Sequence, residues 1–262
     1  MKSHLISIIT ASSNDIENLK KSYKSLRKLD FLNFEWIIVD NASSDGTFLW
    51  ASQLKQKFNV LCISDFDDGI YDAWNKGLDI SKGEWITFIG AGDLLDSSWF
   101  SNASLYFNEG FDLIYGDINI LSIDGSRKIG AFKGQRWSDI SLTLKKRMNL
   151  PHSGCLHRAD FFATKKFNQT FKIAGDWEFY LLKNKIKGHY LKNTTMCDFP
   201  IGGISSSFKG VRLAFREYKC LIKLSLAEFS FREMVKWRVK LLLSRNLKFY
   251  LFFQEKMWKI FT

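Results

Sequence analysis

The residues best suited to chemistry in this chain are carboxylates that stand at the ends of apolar runs. Trp85-Ile86-Thr87-Phe88-Ile89 leads through Gly90-Ala91-Gly92 to Asp93, the pattern of a buried parallel strand ending in a ligand-binding loop at its carboxyl edge. Asp93 then stands at the mouth of a sheet, where it can hold a ligand or cap a helix beginning at Leu94. Asp40 closes a second such run, Glu35 to Val39. It can accept a hydrogen bond from a ligand or serve as a turn and cap residue. Asp65-Phe66-Asp67-Asp68 forms an acidic loop ahead of Gly69, whose missing side chain would let backbone come close to a ligand. Lys76, at the end of the short helical segment that begins at Ile70, can face an anion or simply solvent.

These residues need a scaffold, and the order of apolar runs supplies one. Leu5 to Thr10 reads as a first strand, too short for a signal-peptide core. Asp15 to Leu29 carries Ile16, Leu19, Tyr23 and Leu26 on one helical face. Glu35 to Asp40 is a second strand, a helix runs on through about Phe58, and Asn59 to Ser64 is a third strand. This β-α-β-α-β order opens a doubly wound α/β sheet and puts the strand ends at residues 10, 40 and 93 on one rim. Trp99 to Phe107 reads as a helix, Phe111 to Asp117 as another strand, and Leu121 to Lys133 as a hairpin turning at Asp124-Gly125.

The chain has 262 residues, 46% of them hydrophobic and 25% charged, the balance of a folded protein with a full core. No run approaches the roughly 20 apolar residues that cross a bilayer. Cys62, Cys155, Cys197 and Cys220 lie far apart with no C-x-x-C pair, which suggests reduced thiols in a cytoplasmic protein rather than a zinc site or disulfide framework. The net charge of +11 is concentrated at one end: residues 209 to 262 hold 13 Lys and Arg against 4 Asp and Glu, or +9, leaving +2 for the rest.

The stretch from Ser64 to Gly77, followed by Ser81-Lys82-Gly83-Glu84-Trp85, closely resembles the bacterial glycosyltransferase family 2 pattern S-E-x-D-x-G-I-Y-D-A-M-N-K-G, then a-x-G-x-W, an apolar strand and an N-A-D-D or N-S-G-D loop. Colanic-acid and O-antigen assembly enzymes carry the nearest versions. The resemblance implies the GT-A fold, a Rossmann-like, mostly parallel central sheet flanked by helices. It further implies donor-binding roles for Thr10, Asp40, Asp67, Gly69, Lys76 and Asp93, with Asp40 bonding the base of a nucleotide-sugar donor. A divalent metal, Mn²⁺ or Mg²⁺, would be held by Asp93 and the donor's phosphates. The chain departs from the family's acidic pair at Gly92, and Asp65 replaces the usual Glu.

Further along, Leu150-Pro151-His152-Ser153 to Arg158 resembles the family's P-x-H-Q-x-x-F-x-R segment, with Ser for Gln, and suggests His152 on the acceptor side. Phe171 to Leu181 is similar to K-I-A-x-D-Y-D-L-x-L-R, whose first Asp is the catalytic base; this makes Asp176 the base, with Glu178 as competitor and helix capping as the alternative for Asp176. Gly202 and Gly203 match a G-G-I-S segment that closes over the active site in the family, which suggests them on the acceptor side; a plain turn predicts the same glycines. The resemblance covers about residues 5 to 206.

The expected organisation is a GT-A domain over 1–208, with a nucleotide half to about 118 and an acceptor half over about 119–208, then a basic amphipathic helical tail over 209–262. In the tail, apolar residues such as Phe215, Leu221, Val235, Leu242, Phe249, Phe252 and Trp258 alternate with lysines and arginines, which suits an anionic membrane surface or a helix packed on the domain. The expected function is inverting sugar transfer to a lipid-linked oligosaccharide, by a cytoplasmic protein peripheral to the inner face of a bacterial inner membrane. A silent nucleotide-sugar-binding subunit would explain Gly92. A nucleic-acid-binding protein would explain the charge, but no nucleic-acid-binding module is recognisable and nucleic acid is not expected as a partner.

Overall fold

The computed structural model describes residues 5–31, 33–54, 59–183, 185–203 and 207–246. Its first half is built from β1 (Ile6–Ser12), α1 (Ile16–Leu26), β2 (Phe34–Asp40), α2 (Thr47–Leu54), β3 (Val60–Ser64), α3 (Ile70–Ile80) and β4 (Trp85–Gly90). The strands order as β3-β2-β1-β4, all parallel. Both faces of these strands are covered by helices, so β2 is buried at every residue and reads as one continuous run rather than an alternation. Its Glu35 survives in the core because the carboxylate takes the Ser7 hydroxyl at 2.6 Å and the Lys82 amide at 2.7 Å.

The second half comprises β5 (Leu94–Leu95), α4 (Trp99–Ser104), β6 (Leu113–Leu121), β7 (Lys128–Phe132), α5 (Trp137–Thr143), β8 (Leu156–Arg158), a 3₁₀ turn at Ala159–Phe162, α6 (Gly175–Leu182) and β9 (Gly188–Pro200). β8 slots antiparallel between β4 and β6, and β9 runs parallel to β6. The hairpin expected around Asp124-Gly125 is present as β6 and β7, with Gly125 in the left-handed region. By contrast, Leu94 begins a short strand paired with β9, not a helix. β8 has the larger functional effect, because it brings the segment that starts at Pro151 alongside the end of β4.

The C-terminal residues form α7 (Phe208–Lys223) and α8 (Phe231–Leu243), and the two differ in kind. α7 buries Val211, Ala214, Glu217, Tyr218 and Leu221, with Tyr218 stacked on Trp177 of α6 at 5.5 Å. The boundary expected at 208 falls where α7 begins, and α7 packs on α6. α8 buries no residue fully. Phe249, Phe252 and Trp258 lie outside the described residues. No helix among the described residues is long and apolar enough to cross a membrane.

Candidate active site

Asp93 is held by the turn it closes. Its amide donates to the Gly90 carbonyl at 3.1 Å and its Oδ2 accepts from the Gly90 amide at 2.8 Å. Capping is thereby excluded, since β5 follows. The Ser153 hydroxyl donates a short hydrogen bond to the same oxygen. Burial pushes the carboxyl up to about 6 against the pull of these two donors. Gly92 sits at φ +97°, its amide bonded to the Ser22 hydroxyl at 2.9 Å. A side chain there would be strained, which suits the glycine of the N-S-G-D form of the loop.

A divalent cation can be tested against this geometry. Asp93 Oδ1 has no hydrogen-bond partner among the described residues, and a nearly buried carboxylate is one whose charge a cation would offset. No cluster of three or more His, Cys, Asp or Glu among the described residues could hold a metal by itself. The residues therefore fit a cation bound by one protein carboxylate and the oxygens of a phosphorylated ligand.

Asp40 stands on the same rim, since Ser12 of β1 pairs with Asp40 while Ala11 pairs with Gly90. Its Oδ2 accepts from the Ser64 hydroxyl at 2.7 Å and the Ser43 amide at 3.0 Å, as a turn residue would. Its Oδ1 is buried with no partner, and so is the Ser12 hydroxyl beside it. Such orphaned atoms at a strand end are unfavourable unless a ligand completes them. Thr10 does not share this role. β1 continues two residues past it, its side chain is fully buried, and its Oγ1 accepts from the Trp36 indole at 2.9 Å.

The acidic loop folds against this rim. The Asp67 amide donates to Asn41 Oδ1 at 3.0 Å, and Asp67 Oδ1 accepts from the Gly69 amide at 2.8 Å. Burial raises the Asp67 carboxyl above its ordinary value, with Asp72 and Asp68 adding to the rise. Gly69, at φ +115°, precedes α3, and the space a side chain would occupy lies 3.3 Å from the Lys172 side chain. Lys76 also differs from expectation: its ammonium is held by Asp65 at 3.0 Å, by the Phe66 carbonyl and by Asp72 at 3.8 Å. It clamps the acidic loop instead of facing a diphosphate.

Asp176 lies in the first turn of α6. Its Oδ1 accepts from the Trp177 amide at 2.8 Å and from the Tyr71 hydroxyl at 3.1 Å, while Oδ2 has no partner among the described residues. The single Tyr71 proton is shared, because the same hydroxyl lies 2.7 Å from the Ile173 carbonyl, the shorter of its two contacts. Burial pushes Asp176 up to about 6, and the Trp177 and Tyr71 donors restrain the rise. The carboxylate lines a cavity of about 560 Å³ walled by the Lys146–Asn149 segment, α6, α7 and α8. Glu178 is not an equivalent base. Its Oε1 faces Lys165 and Asn168, each at 3.3 Å, and its Oε2 is buried without a partner.

The loop ahead of Asp176 is tied down from two sides. Lys172 donates to the Asp68 carbonyl and, at 3.0 Å, to the Gln169 carbonyl. Glu217 of α7 accepts from three consecutive amides, Lys172 at 2.7 Å, Ile173 at 3.0 Å and Ala174 at 2.7 Å. Sequence reading did not single out Tyr71, Ser153 or Glu217 as site residues. Tyr71 lay within the I-Y-D-A motif, and Ser153 was visible as a departure from the family's Gln. Glu217 offered no local signal, since its partners are more than forty residues away in the chain.

His152 packs among aromatic rings instead of lining the cavity. Its ring lies 5.0 Å from Trp74 and 5.5 Å from Phe88, its Nδ1 meets the Tyr180 hydroxyl at 3.1 Å, and Nε2 has no partner. Burial lowers its pKa to about 3, so it is neutral. Gly202 and Gly203 do not line the cavity either: Gly202, at φ +117°, abuts Ile123 of the β6–β7 turn. Residues 204–206 of the expected closing segment lie outside the described residues.

Strand register thus puts Asp40 and Asp93 at one rim, and hydrogen bonds tie the acidic loop to Asn41 there and, through Lys172 and Tyr71, to the segment that carries Asp176. Comparisons with known proteins bear on the family and the fold. A PGL/p-HBAD biosynthesis glycosyltransferase of Mycobacterium tuberculosis is 30% identical over 187 residues, 68% of this chain and 69% of the relative. The GalNAc(5)-diNAcBac-PP-undecaprenol beta-1,3-glucosyltransferase of Campylobacter jejuni is 27% identical over 172 residues, 63% of this chain and 55% of the relative. The fold is similar to that of S. aureus TarS 1-349, at a TM-score of 0.59 and 17% identity over 92% of this chain and 71% of that one. It is also similar to the mannosyltransferase PcManGT from Pyrobaculum calidifontis, at 0.58 and 12% over 97% and 87%. With the glycosyl transferase family 2 model matching residues 7–169, just short of Asp176, the chain belongs to that family and is a glycosyltransferase of GT-A fold.

Proposed function

We propose that the chain moves one sugar, with inversion, from a nucleotide-sugar donor to a hydroxyl of a lipid-linked saccharide in the assembly of a bacterial surface polysaccharide such as O-antigen. The observation that carries this reading is Asp176: one oxygen is fixed by Tyr71 and Trp177, the other is without a partner, and the carboxylate faces a cavity large enough for a saccharide. A carboxyl with a pKa near 6 is charged at neutral pH yet basic enough to accept a proton.

The donor's base is placed against Asp40, whose orphaned Oδ1 would accept a ring N–H of the kind uracil or guanine presents. A divalent cation between Asp93 and the donor's phosphates would supply the positive charge that neutralises the departing diphosphate. The acceptor hydroxyl approaches the anomeric carbon and gives its proton to Asp176 Oδ2 as the new bond forms. Tyr71 keeps the carboxylate turned so that this oxygen stays free.

The membrane reading is supported by α8. Phe231, Val235, Val239 and Leu242 are exposed along one stripe of the helix, and Arg232 and Arg238 flank it on either side at about 100° per residue. An interfacial helix has this layout, with long basic side chains reaching headgroups beside a buried apolar face. The protein would then work at the inner face of the membrane.

The test is Asp176→Asn. Turnover is expected to fall by roughly a hundredfold to ten-thousandfold, the usual contribution of a positioned base, while donor binding stays near wild type. Turnover near the wild-type rate would remove Asp176 from the reaction.

A further inference from the structure

Three polar rings meet inside an aromatic cluster behind the site. His157 of β8 and Tyr180 of α6 are 0% and 1% exposed, and the His152 ring lies 5.3 Å from the first and 5.9 Å from the second. Phe88 touches both imidazoles, with Phe167 beside His152 and Phe162 beside His157. Burial lowers the pKa of each histidine, His152 to about 3 and His157 well below its ordinary value, so both are neutral and each carries one N–H. Apolar side chains of the same shape would fill this space at little cost, so hydrogen bonds kept here fix position more than they add stability.

The hydrogen bonds among these rings run in one direction. The Ile86 carbonyl can only accept, so His157 Nδ1, 3.3 Å from it, carries that ring's proton and Nε2 is a bare acceptor. The Tyr180 hydroxyl, 2.6 Å away, therefore donates to Nε2. Its oxygen is left to accept from His152, whose Nδ1 lies at 3.1 Å and holds that ring's proton. His152 Nε2 is then bare, and it is the nitrogen without a partner among the described residues.

Both ends of this chain of bonds lead to the site. His152 is followed by Ser153, whose hydroxyl bonds Asp93. The turn that carries the pair is pinned, since the Gly154 amide donates to the Phe88 carbonyl of β4 at 3.0 Å and the Cys155 amide to the His152 carbonyl at 3.1 Å. Tyr180 follows Asp176 by four residues on α6, which puts the two on one face, about 6 Å apart along the helix. Ile86 belongs to β4, the strand that ends just ahead of Asp93. We infer that the His152–Tyr180–His157 chain is a positioning device: the Tyr180 hydroxyl fixes α6 against β4 and the 151–155 turn, and so sets where Asp176 stands relative to Asp93. The inference rests on Asp176 as the base. The family pattern K-I-A-x-D-Y-D-L-x-L-R leaves the position of Tyr180 open and has Gln where Ser153 stands, so neither contact is prescribed by the motif.

Tyr180→Phe removes the hydroxyl and keeps the ring. Its kcat is expected to fall about tenfold to a hundredfold, the effect of displacing a reacting group by about 1 Å, while the donor KM stays within about twofold of wild type. His152→Leu should lose as much, whereas His152→Asn keeps a donor near the place of Nδ1 and should hold kcat within about threefold of wild type. Thermal melts restrict the comparison to folded variants, and either Tyr180→Phe or His152→Leu suffices. Long-range ¹⁵N–¹H spectra of the imidazoles read the bonds on the full chain without substrate. Both histidines should be neutral Nδ1–H tautomers at pH 7, the His152 signals vanishing in His152→Asn and those of His157 moving in Tyr180→Phe. A kcat within about twofold of wild type in the folded Tyr180→Phe or His152→Leu variant, a donor KM that rises as kcat falls, or an Nε2–H tautomer at His157 would each overturn the inference. Failure of the base reading looks different, because Asp176→Asn would then turn over normally whatever Tyr180→Phe does.

Discussion

At the residue scale, the two carboxyls of the site share a property that sets opposite demands on stability and activity. Asp93 and Asp176 are both raised to about 6 by burial. As the proposed base Asp176 must be ionised to accept a proton, so turnover is expected to fall as pH drops through about 6, which a pH profile of kcat would show. Tyr71→Phe removes a donor that favours the ionised form and should shift that acid limb upward; an unmoved limb would deny Tyr71 its positioning role. The stability effect has the reverse sign. Between about pH 4 and 6 folded Asp93 holds a proton that the unfolded chain has lost, so stability declines as pH rises across that window and the full cost is present above it. Asp93→Asn should therefore raise the unfolding free energy at pH 8 by about 2 to 3 kcal/mol, and by almost nothing at pH 4. Urea denaturation at the two pH values measures the difference.

At the scale of elements, Asp176, the proposed base, is positioned by a helix from the far end of the chain. Glu217 of α7 gathers the amides of residues 172 to 174, and Gly175 lets the backbone pass Tyr71, whose ring carbon lies 2.7 Å from where a side chain would stand. Glu217→Ala strands three backbone donors, that of Ala174 buried, and should cost about 1 to 3 kcal/mol, with a parallel loss of turnover as the segment bearing Asp176 loosens. Denaturation midpoints and steady-state rates on the same preparation would test the pairing. A stability loss with turnover unchanged would show that α7 supports the core but not the base. β8 acts in the same way on the donor side, since its approach to β4 carries Ser153 to Asp93.

For the whole molecule, the C-terminal region divides into a structural and a peripheral part. Ending the chain after residue 208 removes Glu217, Tyr218 and Leu221 from the core and should abolish cooperative melting. Ending it after residue 229 keeps them, so that form should still melt cooperatively but fail to sediment with phosphatidylglycerol vesicles. Retained sedimentation would place the membrane contact elsewhere. For the full chain, binding to such vesicles should weaken as salt rises, because the screening length falls to about 8 Å near physiological ionic strength.

Local pattern was enough to specify the succession of strands and helices in the first half, the carboxylates at its rim and the helix at Asp176. Burial on both faces, helical spacing and motif density are properties of short stretches. Tertiary structure alone decided which polar groups remained available. Thr10 and Lys76 have suitable side chains in suitable places, yet Trp36 takes one and the acidic loop the other. His152 was drawn into an aromatic cluster for the same reason, and Glu217 reached the site from a region that composition set apart. A hydrogen-bonding group satisfied inside the fold is lost to a ligand, and that depends on partners distant in the chain, which no local spacing reports.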